Sequence, residues 1–312
     1  MKEEVALIII YNHRYDKNIE ILERIYNKRF SNIYHLIPFY TGGKPNVIPV
    51  YENSHYFQGY IAQGLKVYFK EKFTHYFFIA DDLILNPVIN ENNYSEHFKL
   101  DGKTSFIPEL VTLHERKVFW RRLKEAYDYS PKMIGLEAMN ELPTYDEAIK
   151  KFNRLNLTIS PLKFDQIYPR IEPSLQTFTS IAKVKTYLIY LYSKLKSSAK
   201  NTSYEISYPL VGSYSDIAIV PAEYIKKFCH YCGVFSTTNL FAELAIPTAI
   251  VLSTEKLVIE NNLQLRGKAL WTTEEFKELK KYGKNLNELL SNFPPNYIYL
   301  HPVKLSSWNT ES

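Results

Sequence analysis

Thr74-His-Tyr-Phe-Phe-Ile-Ala-Asp-Asp-Leu83 is the stretch on which the fold turns. Its aromatic and apolar run does not alternate with polar residues, the pattern of a strand buried on both faces, as strands of parallel sheets are. It stops at two carboxylates, Asp81 and Asp82. In open α/β sheets ligands gather at the carboxyl ends of the strands, so this acid pair lies where chemistry is expected.

Upstream, Val5–Tyr11 is a second continuous apolar run. Asp16 can cap a following helix that carries Ile19, Leu22, Ile25 and Tyr26 on one face. Asn32–Tyr40 and Val47–Tyr51 are two further strands, separated by the turn residues Thr41-Gly-Gly-Lys-Pro45. Ser54 is the expected cap of a helix containing Tyr60, Ile61, Gly64, Leu65 and Tyr68. The order strand, helix, strand, strand, helix, strand predicts an α/β fold with an open, mostly parallel central sheet flanked by helices.

Downstream the pattern loosens. Leu113–Tyr127 is expected as a basic helix (Arg116, Lys117, Arg121, Arg122, Lys124) with a solvated face. Tyr145–Leu155 is a further helix, and Pro161–Pro173 is irregular. Leu175–Lys200 is expected as a long helix with a stripe of Ile181, Val184, Tyr187, Leu188, Leu191, Tyr192 and Leu195. Such a stripe is more often core or partner interface, though flanking lysines also suit a membrane surface. Ser215–Pro221 is a short strand entered by Asp216, and a helix follows through Phe228. Asn239–Ile246 is expected as a helix ended by Pro247, Thr248–Ser253 as a strand, and Thr272–Leu290 as a helix. The absence of repeats and of low-complexity linkers favours one domain over residues 1–312, in two halves, 1–100 and a less regular helical 101–312.

Composition narrows the class. The chain has 312 residues, 46% hydrophobic and 23% charged, the balance of a folded protein. Aromatics reach 15%, a surplus that suits a sugar-stacking cleft, although a bias toward Tyr, Phe, Ile, Asn and Lys codons explains much of it. The net charge of +5 is compatible with an anionic ligand, and no Lys/Arg block of nucleic-acid-arm length occurs. Cys229 and Cys232 form a single CxxC, which reads as small buried residues rather than a zinc or redox motif. With no disulfide framework, no secretory leader and no membrane-span-length apolar run, a cytoplasmic location is expected, with peripheral membrane contact as an option.

Two motifs carry chemistry. Carboxylates after a buried strand supply hard oxygen ligands for Mg²⁺ or Mn²⁺, and a plainer role is a solvated strand end. His301-x-x-Lys304 near the C-terminus adds a possible third ligand and a cation for a departing phosphate, against the plainer reading of a surface histidine. Asp216, after the flexible Gly212-Ser-Tyr-Ser, and Glu243, a carboxylate in the apolar stretch Asn239-Leu-Phe-Ala-Glu-Leu-Ala, are candidates for the reaction centre.

Phe77-Phe-Ile-Ala-Asp-Asp-Leu83 resembles the metal-binding acidic motif of GT-A glycosyltransferases. His301-Pro-Val-Lys-Leu-Ser-Ser-Trp308 is similar to the closing segment of retaining family 8 enzymes. The acids here are adjacent, not spaced by one residue, and no glycine precedes the lysine. The resemblance implies a GT-A-like fold whose first half binds a nucleotide sugar and whose second half binds a saccharide or lipid-linked acceptor of surface-glycan synthesis. It implies metal at Asp81, Asp82 and His301, with Asp82 the better ligand of the two acids. It implies Lys304 on the diphosphate, and Tyr11, Asn12, Arg14, Gln58 and Gly59 beside the donor. Asp216 and Glu243 would serve catalysis. The alternatives are a non-catalytic nucleotide- or glycan-binding module and, less favoured for want of a glycine-rich phosphate loop after the first strand, a nucleotidyltransferase.

Overall fold

A computed structural model describes residues 4–117, 119–133, 136–168, 170, 180–200 and 203–310. Twelve strands are described: β1 (Glu4–Ile10), β2 (Asn32–Pro38), β3 (Val47–Val50), β4 (Phe73–Ala80), β5 (Ile84–Leu85), β6 (Thr104–Phe106), β7 (Val111–Thr112), β8 (Val211–Gly212), β9 (Ile217–Pro221), β10 (Lys256–Val258), β11 (Arg266–Ala269) and β12 (Tyr297–His301). The central sheet has seven of them in the order β10-β6-β9-β4-β1-β2-β3. All run parallel except β9, which lies antiparallel between β4 and β6. Both halves of the chain contribute strands to it.

The expected burial on both faces of β1 and β4 holds residue by residue. Ala6, Ile8 and Ile10 join one core with Tyr76 and Phe78, while Val5, Leu7, Ile9 and Tyr11 join the other with Phe77 and Ile79. The first core is covered by helices Gln58–Tyr68, Ala222–Thr237 and Ala242–Ser253, and the second by Asn18–Tyr26 and the C-terminal segments. A smaller sheet, β11-β12-β5, hangs from the end of β4, because β5 begins two residues after Asp82.

Several local expectations are corrected. Asp16 does not cap the first helix: its carboxylate takes the Arg14 guanidinium instead. Ser54 opens a short 3₁₀ turn capped by Asn53, whose side chain accepts from the His55 amide. The basic helix shrinks to Arg121–Asp128, since Arg116 and Trp120 are extended and stack on each other, 4.6 Å from guanidinium to ring centre. Thr272–Leu290 is two helices, Thr273–Lys280 and Leu286–Ser291, broken where Gly283 takes a left-handed φ of +57° that costs glycine little. The long helix is described from Ile181 to Lys200; its expected start at Leu175, like residues 171–173 of the irregular segment, lies outside the described residues.

The largest correction concerns Pro247. It neither ends a helix nor starts a strand: Ala242–Ser253 is one helix with the proline inside. A proline there leaves the carbonyl four residues earlier without its helical partner. That carbonyl belongs to Glu243, and the Ser213 amide donates to it at 3.0 Å. The proline is tolerated because a neighbouring loop fills the vacancy.

Candidate active site

The chain leaves β1 for β2 and β3 on one side, then returns to β4 on the other side of β1. That reversal opens a crevice at the carboxyl ends of β1 and β4, the usual ligand position of such sheets. The Asp81-Asp82 pair follows β4 at this edge, with the Asp81 amide donating to the Ile10 carbonyl at 2.9 Å. Because β9 is antiparallel, its entry rather than its exit lies at this edge. The Ala80 amide donates to the Asp216 carbonyl, which brings Asp216 alongside. From the far end of the chain, β12 pairs with β5 and delivers His301, and the Val303 amide donates to the Asp82 carbonyl at 2.7 Å.

The three segments converge on one nitrogen. His301 Nε2 lies 3.0 Å from Asp82 Oδ1 and 3.9 Å from Asp216 Oδ1. Asp82 Oδ1 is buried yet has no hydrogen-bond partner, and neither has His301 Nδ1. The 3.0 Å spacing of His301 Nε2 and Asp82 Oδ1 is that of an ion pair when the imidazole is protonated, and it equals the edge of an octahedral shell, where metal–ligand distances near 2.1 Å put adjacent corners about 3 Å apart. The pair therefore fits a divalent ion. Among the described residues, however, no group of three or more His, Cys, Asp or Glu side chains forms a ready-made metal shell. Burial pulls the His301 pKa down, but the facing Asp82 and Asp216 carboxylates outweigh it and the net shift is upward.

Asp81 has a different setting. It is 4% exposed, accepts a hydrogen bond from Asn18 Nδ2 at 3.3 Å, and is pushed up to about 7 by burial and then by the charge of Asp82. It faces into the protein and braces the strand end. Asp216 is pushed upward by burial, only partly offset by His301.

A cleft of about 680 Å³ adjoins the crevice. Tyr214 forms the shared wall: its ring lies edge-on to His301 (5.5 Å), edge-on to Trp271 (6.0 Å) and stacked on Tyr299 (6.1 Å). Trp120 lines the same cleft, so it offers flat aromatic surface of the kind sugar rings stack on. Glu243 lines it too, its pKa raised by burial against the opposing pull of Arg122, whose Nε donates to it at 3.4 Å. Arg122 also lies over the Phe241 ring. Tyr299 donates to Glu260, another lining carboxylate, at 2.5 Å.

The remaining site candidates divide. Asn12 shares a small cavity with Asp216, and Arg14 spans the β1 and β2 exits by donating to the Phe39 carbonyl and to Thr41 Oγ1. Lys304 is exposed three residues beyond His301. Tyr11, Gln58 and Gly59 serve packing in this structure and do not face the crevice. The Tyr11 hydroxyl is buried against His35 Nδ1, and Gln58 donates to the Leu240 carbonyl. Gly59 lets its helix approach Ala222–Thr237, since a Cβ there would lie 2.4 Å from Ser236 Oγ. Sequence reasoning missed Trp120, Tyr214, Trp271 and Tyr299, because aromatics brought together across a cleft carry no spacing signal. It missed Arg116 and Arg122 as lining residues because a basic stretch most often faces solvent. No family model and no curated protein matches the chain.

Proposed function

We propose that this chain is a metal-assisted glycosyltransferase of the GT-A kind, moving a sugar from a nucleotide-sugar donor to a saccharide or lipid-linked acceptor. The observation that carries this reading is the convergence of Asp82, Asp216 and His301 at the sheet's switch point, beside an aromatic cleft. Asp82 and His301 would hold Mn²⁺ or Mg²⁺, which when bound neutralises charge on the departing diphosphate. Lys304 would add a cation to the same leaving group. The cleft would take the acceptor, with rings seated on Trp120, Trp271 or Tyr299. Glu243 reaches that volume and, once deprotonated, could take the proton of an acceptor hydroxyl in an inverting reaction. In a retaining reaction Asp216, on the other side of Tyr214, would stabilise the positive sugar; the likeness of the closing segment to retaining enzymes favours this course. Bacterial surface-glycan synthesis is the setting the resemblance suggests.

The second reading is a non-catalytic nucleotide- or glycan-binding module of the same fold. Binding and hydrolysis of a panel of nucleotide sugars, with Mn²⁺ or with chelator, separates the two. The transferase reading expects metal-dependent binding of one nucleotide class with slow donor hydrolysis, both weakened at least tenfold in His301→Ala and Asp82→Asn. Binding indifferent to metal and to both substitutions, without turnover, would sink it and leave the module.

A further inference from the structure

We propose that the cleft seats two consecutive sugar units at once, so that its ligand is an oligosaccharide and not a single sugar. The seats are Trp120 and Trp271, which line it from different elements. Trp271 follows β11 and is 66% exposed, yet its backbone is pinned on both sides. The Leu270 amide donates to the His301 carbonyl at 2.7 Å, and the Trp271 and Thr272 amides each donate to the Glu275 carboxylate at 2.9 Å. Its ring meets Tyr214 edge-on, which leaves ring face open to a ligand. An exposed tryptophan on a fixed backbone loses little freedom on binding, and such anchors dominate recognition surfaces. Trp120 immediately precedes the helix Arg121–Asp128. Its ring is held by Arg116, whose guanidinium lies 4.6 Å over it, and by Gly212, where a Cβ would come within 3.0 Å of the ring edge.

The two rings meet the chain at Gly212 and at Tyr214, so they flank one short span of the cleft from its two ends. A volume of about 680 Å³ lies within the range of sites for drug-sized ligands, a size that a disaccharide matches and a lone pyranose does not reach. Arg122 and Glu243, bonded to each other at 3.4 Å, line the same space with groups that can donate to and accept from hydroxyls. The backbone also gives the order of the seats. Trp271 is the neighbour of Leu270, which holds the His301 carbonyl, so the unit on Trp271 is the one nearer the acid–histidine pair. The unit on Trp120 trails away from it. That the ligand is an acceptor rests on the transferase reading; the two seats do not. Under that reading the chain extends a saccharide that an earlier glycosyl transfer has already built to two units or more.

Calorimetric titration of the full chain with the mono-, di- and trisaccharides of glucose, galactose and N-acetylglucosamine tests the proposal without metal or nucleotide. In at least one series the disaccharide should bind about tenfold tighter than the monosaccharide, or more, because the second unit reaches its seat at high effective concentration once the first is held. The trisaccharide should add little. Trp120→Ala and Trp271→Ala should each remove the gain, and Trp120→Phe, which keeps a flat face, should return part of it. Thermal midpoints near the native value would tie these losses to the seats and not to misfolding. Equal affinity for one and two units in every series, a gain that survives Trp120→Ala, or no saccharide bound at any length overturns the proposal. A chain that shows the gain but neither binds nor hydrolyses a nucleotide sugar loses the transferase reading and keeps the two seats.

Discussion

Two histidines buried away from the crevice carry a pH prediction at the scale of single residues. His35 and His75 lie at 0 and 1% exposure, and burial holds each down at about 4. Each keeps a hydroxyl partner in the neutral state, Tyr11 and Tyr94 respectively. In the unfolded chain an imidazole titrates near 6.5, so between about pH 6.5 and 4 the unfolded state binds more protons than the folded one. Stability from these sites is therefore complete above about pH 6.5 and drains away as the pH falls toward 4. At pH 5 each should cost about 2 kcal/mol. Urea midpoints at pH 7 and pH 5 check this: His75→Gln should lose about 2 kcal/mol less between the two than the native chain does. Equal losses in both would refute the assignment. By contrast, Cys229 and Cys232 are buried thiols whose pKa values burial raises, the first to about 12, which fits the packing role expected of them.

At the scale of elements, helices Gln58–Tyr68 and Ala222–Thr237 approach closely at Gly59. A methyl at position 59 would meet Ser236 Oγ at 2.4 Å and Ser236 Cβ at 3.1 Å, so the Ser236 hydroxyl must turn away, putting at risk its 3.2 Å hydrogen bond to Glu52, and the contact must give by a few tenths of an ångström. Alanine's better helix propensity returns up to about 1 kcal/mol, while overpacking costs about 1–3 kcal/mol, so Gly59→Ala should be net destabilising. A lower urea midpoint with ligand binding unchanged is the expected result; weakened donor binding at unchanged stability would restore the donor-side reading of this glycine. The Pro247 helix holds the second element-scale prediction. In Pro247→Ala the restored amide competes with Ser213 for the Glu243 carbonyl, so hydrogen exchange at the Ser213 amide should accelerate. Unchanged protection there would mean that the loop is held by other contacts.

For the whole molecule, an ion held by Asp82 and His301 would join β4 to β12 and bind the native state alone. Mn²⁺ at a hundredfold excess over its dissociation constant should then stabilise the chain by about 2.7 kcal/mol, read as a rise in thermal midpoint that chelator reverses. Asp82→Asn should abolish the rise. A native chain whose midpoint ignores Mn²⁺ would leave the pair as a plain ion pair. The parallel strands were legible because β1 and β4 are apolar on both faces, a pattern visible in one dimension. The acid pair was legible for the same reason, since it ends such a run. Pro247 misled because its consequence depends on Ser213, and no local rule ties residue 213 to the Glu243 carbonyl. The cleft aromatics were illegible for the same cause: Trp120, Tyr214, Trp271 and Tyr299 meet only through sheet topology. That dependence on distant pairing also governs when the site can exist. Asp82 and His301 stand more than two hundred residues apart, so a growing polypeptide lacks the pair until residue 301 has been synthesised and β12 has docked on β5. However much of the sheet has formed by then, competence at this site arrives in one step, as a property of the finished fold.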